Sequence, residues 1–149
     1  MQNVNDPCLG CAIVSGSTRP VGGLIARAPG LVLHGSASPS PVPGWVVLSS
    51  QRHARALYDL DDEAAQQLGP FAARVMRAQR KVLGAQHVYA FAIGDVLHHF
   101  HLHLVPRFAD TPQHLWGRSI FDAPPAEHLA AGPLEQAAQR LAQALAAGP

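Results

Sequence analysis

Histidine alternates with apolar residues in the run His98-His99-Phe100-His101-Leu102-His103-Leu104-Val105-Pro106-Arg107. Read as a β-strand, period two sets His99, His101 and His103 on one face, with neighbouring Cα atoms about 6.5–7 Å apart. Phe100, Leu102 and Leu104 then face the opposite way, toward a core. Buried imidazoles need hydrogen-bond partners, so a row of them is a poor structural choice. It is a good chemical one, because histidine has the side-chain pKa nearest neutrality and can attack, donate, accept or bind metal. The competing reading is a set of core or metal-binding histidines. Cys8 and Cys11 form a Cys-x-x-Cys pair near the start of the chain. In a reducing compartment such a pair is a metal half-site or two idle thiols rather than a structural disulfide.

The elements that must hold these groups follow from pattern. Two short apolar runs, Ala12-Ile13-Val14 and Leu31-Val32-Leu33, flank a Gly/Pro/Ser-rich stretch containing Gly22-Gly23. Ser36 to Pro43 is a loop by its Ser and Pro content, and Trp45-Val46-Val47-Leu48 is a strand. Asp61 is placed to cap a helix running to about Leu83 and ending at Gly84, with Leu68, Phe71, Ala72, Val75, Met76, Gln79 and Leu83 on one face. Pro70 should kink or break it. Val88 to Ile93 and Val96 to Val105 read as a hairpin turning at Gly94-Asp95, and a last helix runs from about Pro133 to Ala147. A strand meander with one long internal helix implies an α+β domain with an antiparallel sheet. The 149 residues form one domain, with a tail over 1–7 and, after 108, an irregular extension ending in the helix.

Composition narrows the partners. Net charge is +1 and Lys81 is the sole lysine, so there is no basic stripe for a nucleic-acid polymer. Charged residues make up 14%, against roughly 25% in ordinary domains, which suits a chain rich in Ala, Pro and Gly and also a homo-oligomer. The N-terminus lacks the pattern of a secretion signal, and no run approaches the roughly 18 apolar residues that span a bilayer. The expected location is the cytoplasm.

The run from His99 to Arg107 resembles the signature of the histidine triad family, His-x-His-x-His followed by apolar residues and Pro-Arg. Pro43-Gly44-Trp45-Val46-Val47-Leu48-Ser49-Ser50-Gln51-Arg52-His53 is similar to the family's strand ending in a basic residue and His, and Leu57 to Glu63 to its helix start. With the cysteine pair, the likeness covers roughly residues 8 to 108. It implies a five-stranded antiparallel sheet with helices, generally dimeric, acting on nucleotides without an organic cofactor. The middle histidine, here His101, would attack an α-phosphorus and become nucleotidylated, with His103 bonding a phosphoryl or bridging oxygen. His99 has two competing roles, at the phosphate end of the catalytic site or as a ligand of structural zinc with Cys8, Cys11 and His53. Arg107 and Asp95 are the candidate substrate contacts.

Departures from the family pattern matter as much. Trp45 stands where His is usual, and Asp95 where a phosphate-binding Gln is common. Ala37 replaces the acid expected to hold the ribose. These departures, with Gly22-Gly23 and His34, resemble a bacterial branch of dinucleotide polyphosphate hydrolase-like members. His34 is an undecided neighbour of the site, His98 is expected on the face opposite the triad as a partly exposed or capped side chain, and His114 and His128 are expected at the surface. The resulting expectation is a nucleotide hydrolase or transferase acting on dinucleotide polyphosphates or nucleoside phosphoramidates. Its rivals are a nucleotide-binding protein with little turnover and a metallohydrolase using His99, His101 and His103 as ligands.

Overall fold

The computed structural model describes residues 7–148, so the expected tail lies, except for Pro7, outside them. Strands β1 (Leu24–Ala28), β2 (Leu31–Gly35), β3 (Val46–Ser50), β4 (His87–Phe91) and β5 (His101–Arg107) form one sheet in the order β1-β2-β3-β5-β4. Every neighbouring pair is antiparallel, as the α+β reading expected. Three α-helices accompany it: α1 (Leu9–Ser15), α2 (Asp62–Leu83) and α3 (Ala131–Ala146). No helix among the described residues is long and apolar enough to cross a membrane.

Helix α2 follows its sequence signals. The Asp61 carboxylate accepts the Ala64 N–H at 2.9 Å, acids occupy the first turn and Arg80 and Lys81 the last, all favourable to the helix dipole. It runs unbroken through Pro70. Pro70 is exposed, and so is Gln66, whose carbonyl loses its partner to the proline ring, so water can take that bond. Phe71 and Val75 pack with Leu31, Leu33, Val46, Leu48 and Leu104 of the sheet and Leu141 and Leu145 of α3. Gln79 lies within this apolar layer, fully buried. Its amide donates to the carbonyls of Gly44 and Leu104 at 2.9 and 3.0 Å, tying α2 to the turn before β3 and to the middle of β5.

The opposite face of the sheet is covered by the chain that follows β5. Its short 3-10 turns, Gln113–Leu115 and Gly117–Asp122, bring Leu115 and Ile120 against Val47, Val105 and Trp45. Leu102 and Leu104 therefore point to the helices, while His101, His103 and Val105 point to this second layer. The hairpin expected to turn at Gly94-Asp95 is wider than its sequence suggests. Residues 92–100 leave the ladder, because Ile93 and Val96 face solvent and His99 turns away to another partner.

Candidate functional site

A cavity of about 430 Å³ opens on the second face, within the roughly 300–1,000 Å³ typical of small-molecule sites. His34, Ser49, His101 and His103 line it from the strands, and residues 36–39 and 93–97 from two loops. His101 Nδ1 lies 2.6 Å from the His99 carbonyl. A carbonyl only accepts, so Nδ1 carries a hydrogen, and in the neutral ring the lone pair is on Nε2. That is the tautomer a nitrogen nucleophile requires.

The neighbouring ring is set the other way. The Trp45 indole N–H donates to His103 Nδ1 at 3.0 Å, which leaves the hydrogen of His103 on Nε2. The His101 and His103 rings meet edge-on with centroids 5.1 Å apart, and Phe121 closes on His103 at 5.2 Å. Burial, then the charge His101 can carry, push the His103 pKa down to about 4. Beside them His34 donates from Nδ1 to the Gly35 carbonyl at 2.7 Å and accepts at Nε2 from the Ser49 hydroxyl at 2.8 Å. Burial holds its pKa down to about 4 as well, opposed by the bond to Gly35. Ser49 pairs directly across the ladder from His101, so His34 and Ser49 floor the cavity next to the His101 ring.

His99 is elsewhere. It precedes β5, is fully buried, and does not line the cavity with His101. Its Nε2–H donates to the Ser50 carbonyl at 2.8 Å, which turns Nδ1 toward Cys8 Sγ at 3.4 Å and Cys11 Sγ at 3.5 Å. Cys11 Sγ is also 3.4 Å from His53 Nδ1, and the four donor atoms lie within 4.8 Å of one another. A tetrahedral zinc with bonds of about 2.3 Å to sulfur and 2.05 Å to nitrogen would separate S and N by about 3.6 Å. The spacing fits, and Cys8, Cys11, His53 and His99 form a candidate zinc site of the closed, structural type. Burial, then the neighbouring Cys8, raise the Cys11 thiol pKa, so a cation is what would hold both sulfurs as thiolates. Gly10 makes the approach possible: a Cβ there would lie 2.3 Å from His99 Cγ. Among the described residues this is the one cluster of three or more such donors, and His99, His101 and His103 are not grouped at that spacing.

Of the substrate contacts expected from sequence, Asp95 reaches the rim of the cavity, exposed, as the one carboxylate among its lining residues. Arg107 does not line it. Six residues beyond His101, roughly 20 Å along the strand, its guanidinium lies 4.2 Å over the Trp116 ring. Gly22-Gly23 is a turn before β1 with positive φ at both residues, outside the cavity, and a Cβ at Gly22 would meet Ala138 at 2.8 Å. His98 and His114 are exposed, as expected. His128 is not a plain surface residue: it lines the cavity and bonds the Ala123 carbonyl through Nε2 at 3.0 Å. Sequence reasoning missed the roles of Ser49, His128 and Phe121. Only Ser49 carried a signal, a polar residue in phase with Trp45 and Val47 on the cavity-facing side of its strand.

The HIT domain model matches residues 30–110, a span holding His34, Trp45, Ser49, His53 and the triad. No curated protein matches the chain. Among solved structures it resembles a Zn-bound histidine triad family protein from Mycobacterium smegmatis, 23% identical over 94% of each chain with a TM-score of 0.70. It also resembles a hypothetical histidine triad nucleotide-binding protein from Sulfolobus tokodaii, 14% identical over 94% of this chain and 93% of that one, with a TM-score of 0.73. A Hit-like protein involved in cell-cycle regulation from Bartonella henselae, 16% identical over 97% and 99%, gives 0.68. At these identities the likeness is one of fold.

Proposed function

This chain belongs to the histidine triad family, and from that premise we propose that it is a nucleotide hydrolase or transferase working through a nucleotidyl-His101 intermediate. The observation that carries the reading is the 2.6 Å bond from His101 Nδ1 to the His99 carbonyl, which in the neutral ring puts the lone pair on Nε2, in a cavity of nucleotide-compatible size. In the first step Nε2 bonds to the α-phosphorus, and the bond from phosphorus to the leaving group breaks with the electron pair on that group. In the second, water or another acceptor bonds to phosphorus, the P–Nε2 bond breaks, and its pair returns to His101. Hydrolysis then yields a nucleoside monophosphate and a proton released to solvent. The Nε2–H of His103 is a fixed donor to an oxygen on which charge builds up.

Zinc held by Cys8, Cys11, His53 and His99 would have four protein ligands, so it supplies rigidity rather than a reacting position. Those residues join α1 and the loop after β3 to the backbone that orients His101. Nucleotide is the substrate partner, and the cytoplasm, where thiols stay reduced, is the compartment that suits the cysteine pair. Among the described residues β4 lies at an edge of the sheet, which supports a homodimer formed across it, and sedimentation on dilution tests this. Steady-state turnover of a panel of dinucleotide polyphosphates, mixed anhydrides and phosphoramidates tests the enzyme reading. His101→Ala should abolish turnover while nucleotide still binds, and His103→Ala should lower kcat by about 10²–10³. Wild-type protein that binds nucleotides but turns over none of the panel supports a binding protein instead.

A further inference from the structure

His103 has an unusual constraint on where its protons can go. An indole N–H can only donate, so the 3.0 Å bond from Trp45 requires an unprotonated Nδ1 on His103. A second ring proton would set two N–H groups against each other. Among the described residues, the titratable groups that face this ring are His101 and His34, and Trp45, Phe121 and the cross-strand Val47 and Phe91 flank it. None of these is a carboxylate that could pair with an imidazolium. Burial acts in the same direction, toward a neutral ring. A neutral His103 can give a hydrogen bond through Nε2–H but cannot give the proton away, because that would leave an imidazolate.

The other imidazoles of the cavity each have a partner too. His101 spends its N–H on the His99 carbonyl, His34 has a carbonyl on one nitrogen and the Ser49 hydroxyl on the other, and His128 spends its Nε2–H on the Ala123 carbonyl. Leaving groups differ in what they need. A phosphate, polyphosphate or carboxylate departs with its electron pair as a stable anion, and a hydrogen bond is enough help. An amine cannot depart as an anion, so as the P–N bond breaks its nitrogen must take a proton.

We propose that Trp45 determines leaving-group specificity: by fixing His103 as a neutral donor, it confines the enzyme to nucleotidyl anhydrides, whose leaving group departs as an oxyanion, and excludes nucleoside phosphoramidates. This rests on the nucleotidyl-transfer reading above. Trp45 acts through His103 and is a positioning residue. In the anhydride reaction the His101 Nε2–P bond forms, the P–O bond breaks, and the departing oxygen keeps the pair while accepting a hydrogen bond from His103.

The test compares kcat/KM of the zinc-loaded protein for diadenosine polyphosphates, an acyl adenylate, adenosine phosphoramidates and aryl esters of AMP with graded leaving-group acidity. Phosphoramidates should fall at least about 10²-fold below anhydrides, the contribution a general acid typically makes. Adduct formation on the aryl series should depend steeply on leaving-group pKa. Trp45→His, which restores a ring able to exchange protons with His103, should narrow the gap by about tenfold or more and flatten that dependence. If the variant does not fold, the wild-type series still decides, together with ¹⁵N spectra. These should show His103 protonated only on Nε2 over about pH 5 to 8. Phosphoramidate cleavage within about tenfold of anhydride cleavage, through the same His101 adduct, would overturn this inference and leave the covalent mechanism standing. Loss of that cleavage on His128→Phe would then identify His128 as the acid. Absence of both turnover and adduct with every substrate would overturn the underlying reading as well.

Discussion

His101 and His103 are two residues apart on one strand, yet they carry their ring hydrogens on opposite nitrogens, because a carbonyl orients one and an indole N–H the other. The alternation His-x-His made both legible in the sequence, since period two alone puts them on a common face. Their tautomers were not legible: the partners lie in the backbone two residues upstream and in a side chain 58 residues away. The same holds for His34, whose bond to Ser49 joins adjacent strands. The state of these rings also sets a pH dependence. His34 and His103 have ordinary pKa values of 6.5 that folding lowers to about 4, so between these limits the unfolded chain binds more protons. Their contribution to stability is complete above pH 6.5, declines as pH falls through that window, and reaches its floor below about 4. Denaturant melts across the window should show the decline, and His34→Asn should flatten it relative to wild type. Equal slopes for the two proteins would show that His34 is not buried neutral.

At the scale of elements, α2 could be read closely because its signals are local: an aspartate cap, one apolar face, a terminal glycine. The β4–β5 connection could not. Val96 to His98 has the composition of a strand, but the backbone leaves the ladder where the His99 ring turns toward the sulfurs of α1 and its N-terminus. The two roles expected for His99 are thus separated in space, and the ring belongs with the cysteines. Helix α1 is only Leu9–Ser15, too short to persist alone, so burial of Ile13 and Val14 and its attachment at His99 and His53 hold it. Gly10→Ala, which puts a methyl against His99, should weaken zinc binding by about 10–100-fold, the range typical when groups supporting metal ligands are disturbed. Competition with a chromophoric chelator measures this, and the melting temperature should fall in parallel. Unchanged affinity would mean that the helix and His99 are not in the contact described.

Across the whole molecule, the family match ends at residue 110, but the site does not. Ile120, Phe121, Ala123 and His128 from the C-terminal extension complete the cavity, and Phe121 meets Trp45, Phe91 and His103 edge-on. This part was opaque in the sequence because 3-10 turns rich in proline have no periodicity to read. Its apolar residues could not be told from surface ones until the sheet face that they cover was known. Phe121→Ala should cost about 2 kcal/mol, less than the 3–5 kcal/mol of a wholly buried ring. It should also let water reach His103 and raise its pKa toward the ordinary value, as an NMR titration would follow. A stability loss with no change in the titration would assign Phe121 to packing alone.

The covalent step is the centre of the account, and rapid-quench mass spectrometry of the intact protein mixed with an adenylated anhydride tests it most directly. The expected result is a transient species heavier by one AMP, mapped to His101 and absent in His101→Ala. Turnover without any such species at the shortest quench times, or an adduct that survives His101→Ala, would contradict it.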